Sequence, residues 1–257
     1  MNKAIIISLL VLILALPAFF IQSCAPIDEV FNSSLDGKNV GVSANDLLAS
    51  SRFDELVVEV LTVSGFEPKQ TTLDSLLTFL GGLVNKPSGI RLVHTEVSSP
   101  GLPSYTLNDI KVIESQNRTT KTEGKTISVS LFFADVDYSE NTDNQKVLGI
   151  AYANTSLVIF EKTIVQLTNE ITEPDQGLLE RTVTNHEFGH IFGLVNVGTD
   201  MQTAHQDEAH GKHCDNEDCL MNWVAETGSF ADKLLGMSKI PVFDKNCRDD
   251  LKANGSK

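Results

Sequence analysis

The sequence predicts an α+β fold, a twisted mixed β-sheet packed on helices, and three observations predict it. Apolar, β-branched runs at 56–63, 90–97 and 126–134 read as strands. Segments with helical spacing separate them. After two further short strand patterns comes one long helical pattern that carries histidines, so the order is strand, helix, strand, helix, then several strands and a final helix.

In chain order, Leu73, Leu76, Leu77 and Leu80 follow helical spacing after the first strand, and Gly81-Gly82 are expected to end that helix. The second strand, 90–97, contains His94, read as structural. Pro100 and Pro103 break the chain, and Leu107, Ile110 and Ile113 then mark a helix over 106–117. A strand over 126–134 precedes a polar loop, and 147–153 and 157–160 read as two short strands. The segment 163–169 is ambiguous. Pro174 and Asp175 open a helix carrying Leu178, Leu179 and Val183, which is expected to stop at Gly193.

The start of the chain is of another kind. Lys3, an apolar run over 4–21, and Ser23-Cys24 read as a secretion signal. The small residue before the cysteine resembles the lipobox of bacterial lipoproteins, in which that cysteine is acylated and becomes the first mature residue. The other reading is an uncleaved transmembrane anchor. Either places the remainder outside the cytoplasm, and the lipobox resemblance implies a bacterial cell envelope, with the membrane as partner through lipidated Cys24. Residues 1–23 are therefore expected to be a signal peptide, 24–50 a flexible tether rich in Ser, Asn, Asp and Gly, and 51–257 one catalytic domain. The net charge of -14 lacks the basic footprint that nucleic acid or an anionic membrane surface demands, so no nucleic-acid partner is expected.

Five of the six histidines fall between His186 and His213. Residues 186–193 read His-Glu-Phe-Gly-His-Ile-Phe-Gly. On a helix, His186 and His190 project from one face a turn apart and can grip one metal ion, while Glu187 beside them can take a proton from a water without being a ligand. That division of labour is the one used by zinc peptidases. A catalytic zinc normally has three protein ligands and one open position, so two histidines do not complete the site.

The extended pattern resembles the metzincins, His-Glu-x-x-His-x-x-Gly-x-x-His or Asp, in which the glycine bends the chain so that a third ligand reaches the metal. Here that last position is Asn196, a neutral and poor zinc ligand. Downstream, His213-Cys214, four residues, then Cys219-Leu220-Met221 resembles the archaemetzincin signature. The resemblance covers roughly residues 182–223. It implies zinc as cofactor, a peptide or protein substrate, His213 as the displaced third ligand, 197–212 as an insertion, and Met221 as the methionine of the Met-turn. It also implies a metzincin-like fold with an active-site helix. His205 and His210 remain competing third ligands, and Asp200, Asp207 and Glu208 can also turn inward.

Archaemetzincins use a further Cys-x-x-Cys pair to complete a second zinc site, whereas this chain offers only Cys247. Cys214, Cys219 and Cys247 are then read in two ways: a Cys214–Cys219 disulfide with Cys247 free or substituting for one partner, or three thiolates on a second metal. Trp223 is expected to pack under the site, with a subsite wall as the alternative. The edge-strand candidate 151–156 would pair with an extended substrate, as in zincins. The functional expectation is a zinc-dependent endopeptidase with Glu187 as general base; the alternative is a non-catalytic envelope lipoprotein whose zinc site is structural or vestigial.

Overall fold

The computed structural model describes residues 35–169, 175–234 and 239–257. The apolar leader, Cys24 and Pro174 lie outside the described residues, as does the first part of the tether. Among the described residues no helix is long and apolar enough to cross a membrane.

The main sheet has five strands in the order β2-β1-β4-β7-β6. These are β1 (Glu55–Val63), β2 (Gly89–Val97), β4 (Thr126–Phe133), β6 (Gly149–Ala153) and β7 (Ser156–Ile159). β1 pairs in parallel with β2 and β4, and β4 in parallel with β7, while β6 runs antiparallel to β7 as an edge strand. The sheet is thus mixed, as expected. Strand alternation divides the core. Leu56, Val58 and Val60 of β1, with Ile127, Val129 and Leu131 of β4, belong to one apolar cluster; Leu61, Val63, Phe132 and Val158 belong to the other.

Two helices fill the first cluster. α2 (Gln70–Leu83) brings Leu73, Leu76 and Leu80, and α5 (Gln176–Ile191) brings Leu178, Leu179, Val183, Phe188 and Ile191. The second cluster is covered by α3 (Leu107–Asn117) with Ile110 and Ile113, and by the short parallel pair β3 (Ser104–Tyr105) and β5 (Asp137–Tyr138). Thr106 starts α3 with a capping box shared with Asp109. Glu59, in the middle of β1, is fully buried and accepts hydrogen bonds from Thr95, Thr119 and Thr120. Burial alone would raise its pKa, but those bonds outweigh it and hold the carboxyl at about 2.

Three differences from the sequence reading have physical causes. α2 runs through Gly81-Gly82 to Leu83, because Val84 and Leu80 are buried while both glycines face open space. The indefinite segment 163–169 is mostly helix, α4 (Glu161–Leu167), held by Thr163 and Ile164 in the core. The tether expected to reach residue 50 is packed from residue 35 on: α1 (Ala44–Leu48) buries Leu47 and Leu48 completely, and Asn154 binds the backbone of Leu35 and Lys38. A few apolar residues in a polar stretch were enough to dock it.

Candidate metal centre

α5 begins at Asp175, whose side chain accepts from the Leu178 N–H, and it runs through the protein interior with fourteen of its sixteen residues buried. A buried helix of this kind holds its side chains in fixed rotamers, and His186 and His190 bring their Nε2 atoms to 3.1 Å. Gly189 between them is forced: a Cβ there would lie 2.3 Å from the Met221 Sδ, so the methionine packs directly under the histidine-bearing turn. The helix ends as expected. Gly193 adopts φ +75° and turns the chain away, and Val195 and Asn196 continue in the left-handed region with Asn196 exposed.

After the 197–212 loop the chain returns at His213 beside the other two histidines. The His213 ring stacks on that of His186 at 5.3 Å and meets that of His190 edge-on at 5.1 Å. One nitrogen from each of His186, His190 and His213, with a Glu226 oxygen, lie within 4.8 Å of one another. The outer nitrogens are committed elsewhere: His186 Nδ1–H donates to the Leu220 carbonyl at 2.7 Å, and His213 Nδ1–H to that of His210 at 2.9 Å. This leaves both Nε2 atoms as inward lone pairs, the tautomer a metal ligand needs.

Glu226 is the residue that sequence reasoning missed. It ends the 3₁₀ turn Trp223–Glu226, five residues beyond Met221, and its carboxylate stands 3.7 Å from the Nε2 of His186, 3.7 Å from that of His190 and 3.5 Å from that of His213. Although burial raises its pKa, the three imidazoles prevail and hold it far below the usual carboxylate range. Burial pushes His190 down to about 4, which keeps it neutral. For His213 burial also lowers, but Glu226 overcomes it and the pKa is raised. Burial, then repulsion from Glu226, pushes Glu187 well up.

The donor set fits a metal ion. Both Glu187 oxygens and His213 Nε2 are buried without a hydrogen-bond partner, although the Ala151 backbone approaches Glu187 closely enough to ease its burial. Orphaned buried polar atoms are destabilising unless something pairs with them. A cation among the imidazoles would satisfy His213 and draw the Glu187 pKa back down. These groups open onto a cleft of about 170 Å³ lined by Ala151, Glu187, His190, Lys212, His213 and Glu226.

His205 and His210, the competing third ligands, are elsewhere. His210 is exposed, paired with Asp207 at 2.7 Å and stacked on Trp223 at 4.0 Å, so the tryptophan packs against the 197–212 loop. Asp200 and Glu208 are exposed. His205 is buried in a second cluster, its Nδ1 lying 3.3 Å from Cys214 Sγ and 4.0 Å from Cys247 Sγ, with Cys219 and Cys247 sulfurs 3.6 Å apart. Asp250 holds the far side of the His205 ring at 2.7 Å. All three cysteines are free, so the expected Cys214–Cys219 disulfide is not formed. His205, Cys214, Asp244 and Cys247 each offer one donor atom within 4.8 Å of the others, close enough to hold one metal ion, and the Cys219 sulfur lies beside that of Cys247.

The charges in this cluster also fit a cation. Hydrogen bonds from Cys214 and Cys247 pull Cys219 down to about 4, while the same contact with Cys219 pushes Cys214 up to about 12 and Cys247 is raised further. The two clusters are also joined by backbone. Cys214 N–H donates to the Met221 carbonyl at 2.7 Å, so the segment that carries His213 and Met221 is anchored where the thiols converge.

No protein family model matches the sequence, and no curated protein matches it. Among solved structures, the chain is similar to the crystal structure of archaemetzincin from Methanopyrus kandleri, with a TM-score of 0.48 and 17% identity over 79% of this chain and 97% of that one.

Proposed function

We propose that the protein is a zinc-dependent endopeptidase in which His186, His190 and His213 hold the metal and Glu187 is the general base. The observation that carries this reading is the convergence of three buried imidazoles beside a buried carboxylate with no partner of its own, at the wall of a cleft. The sequence resemblance over 182–223 supports the choice of zinc and of a peptide bond. Zinc held there would supply Lewis acidity toward a carbonyl and a water whose pKa falls toward about 7.

The chain's own residues supply the rest. Glu187 takes the proton of the attacking water as its oxygen bonds to the scissile carbon, then delivers it to the amine nitrogen as the C–N bond breaks. The edge strand β6 places Ala151 on the cleft, so an extended peptide can pair its backbone with that strand. Met221 and the outer bonds of His186 and His213 hold the imidazoles in place. The thiol cluster would take a second zinc that fixes the segment bearing His213.

Glu187→Gln should lower hydrolysis of an unstructured protein substrate by about 10²–10⁴-fold while zinc stoichiometry stays the same. Undiminished hydrolysis would remove Glu187 from the mechanism. Attachment to a bacterial envelope membrane through lipidated Cys24 belongs to the same proposal, supported by the sequence over 3–24; mass spectrometry of the mature N-terminus for a diacylglyceryl group on Cys24 tests it.

A second reading is favoured by Glu226. A site closed by four protein ligands is structural in character, and Glu226 is placed to close this one. On that reading the chain is a non-catalytic envelope lipoprotein. Zinc-loaded protein that hydrolyses no peptide, either as wild type or with Glu226 removed, would decide for it.

A further inference from the structure

Resting on the reading that the three histidines hold zinc, we propose that Glu226 is a displaceable fourth ligand that masks the open coordination position and keeps the resting protein self-inhibited. Three independent features of its placement support this.

The first is distance. Four donors about 2.0–2.1 Å from one ion stand roughly 3.3 Å apart when tetrahedral. The observed separations are 3.1 Å between His186 and His190, 3.7 Å from Glu226 Oε2 to each of these two, and 3.5 Å from Glu226 Oε1 to His213. The carboxylate, through its two oxygens together, faces all three imidazoles from the fourth side.

The second is the lack of any outer support. His186, His213 and His205 are each pinned through the ring nitrogen that faces away from its cluster, as lasting ligands are. Among the described residues, Glu226 has no partner for its carboxylate except the imidazoles themselves.

The third is a place to go. The Glu226 backbone is fixed, since its carbonyl accepts from Leu148 N–H at 2.9 Å and the turn closes from Thr227 N–H to the Val224 carbonyl. The side chain is 30% exposed and borders the cleft, so rotation about its own bonds can carry the carboxylate off the metal position without moving the fold. A peptide carbonyl or an added anion entering the cleft would compete with it for that one position. Self-inhibition of this kind lowers apparent affinity by the fraction of molecules that are open, so a site closed nine times in ten binds about tenfold more weakly.

The test uses the cobalt-substituted protein, wild type and Glu226→Ala, with azide and acetohydroxamate as probes. The proposal expects Glu226→Ala to change the visible cobalt spectrum, to gain an exchangeable water by proton relaxation, and to bind azide about tenfold or more tightly. Glu226→Asp, which keeps the charge but is one methylene shorter, should behave like the alanine variant; if it matches wild type, charge alone is responsible and coordination is wrong. Identical spectra and azide affinities in wild type and Glu226→Ala would also overturn it. His213→Ala in the same assay separates the two levels: unaltered cobalt binding there means that the three-histidine reading has failed, whatever Glu226 does.

Discussion

The two clusters differ in donor type, exposure and support, and the differences assign them different work. The histidine cluster has imidazole nitrogen donors, an orphaned carboxylate beside it and an opening to solvent. The thiol cluster is sealed: Cys214, Cys219, Cys247 and His205 are at most 2% exposed, and Asp250, itself fully buried, braces the His205 ring. A metal with an open position can do chemistry, whereas one enclosed by sulfur contributes to folding. One loop segment, His213 to Met221, contributes to both clusters, so on the proposed reading the sealed one holds still what the histidine cluster uses.

The strongest attempt to break this contrast is to remove one thiol. Cys219→Ser should destabilise the zinc-loaded protein by about 4 kcal/mol or more, as loss of a structural metal does; chemical denaturation measures it. His190→Ala should remove zinc from the open site and abolish hydrolysis, yet leave the unfolding midpoint far less altered. Equal destabilisation by the two variants would erase the distinction.

Gly189→Ala tests the packing that supports the open site. Its Cβ would meet the Met221 sulfur, so overpacking of about 1–3 kcal/mol is expected, together with reduced hydrolysis. Asp250→Asn probes the support of the sealed site and should weaken its zinc affinity by about 10–100-fold, as measured by competition with a chromophoric chelator.

The smallest effect is a control remote from both. Glu59 has its pKa depressed in the fold, so its stabilisation is present above the unfolded value of about 4.5 and is lost as pH falls through about 2. Hydrogen exchange of the Thr119 and Thr120 amides should quicken over that window alike in zinc-loaded and metal-free protein, and Glu59→Gln should remove the pH dependence. A zinc-dependent shift of the window would tie this region to the clusters.

The parts of the site that were legible in the sequence are those that local geometry dictates. A helix fixes His186, Glu187 and His190 by spacing, and Gly193 marks its end by its backbone conformation. The apolar strands β1, β4 and β7 were equally plain, because buried strands need apolar runs. What stayed hidden depends on chain return. Glu226 sits on a 3₁₀ turn whose position against the imidazoles is set by Leu148 and the neighbouring loop, with no periodicity to announce it. His205 could be matched with Cys214, Cys219 and Cys247 only once α6 (Lys245–Ala253) had folded back to bring Cys247 and Asp250 beside them. The docking of 35–50 was hidden for a similar reason, since a few scattered apolar residues, Ala44, Leu47 and Leu48, and the bonds to Asn154 carry it inward.

A zinc-edge anomalous map of the metal-loaded crystal tests the central claim most directly. Two peaks are predicted, one bound by the Nε2 atoms of His186, His190 and His213 and one among the sulfurs of Cys214, Cys219 and Cys247 with His205. A single peak in the thiol cluster, with none between the three histidines, would contradict it.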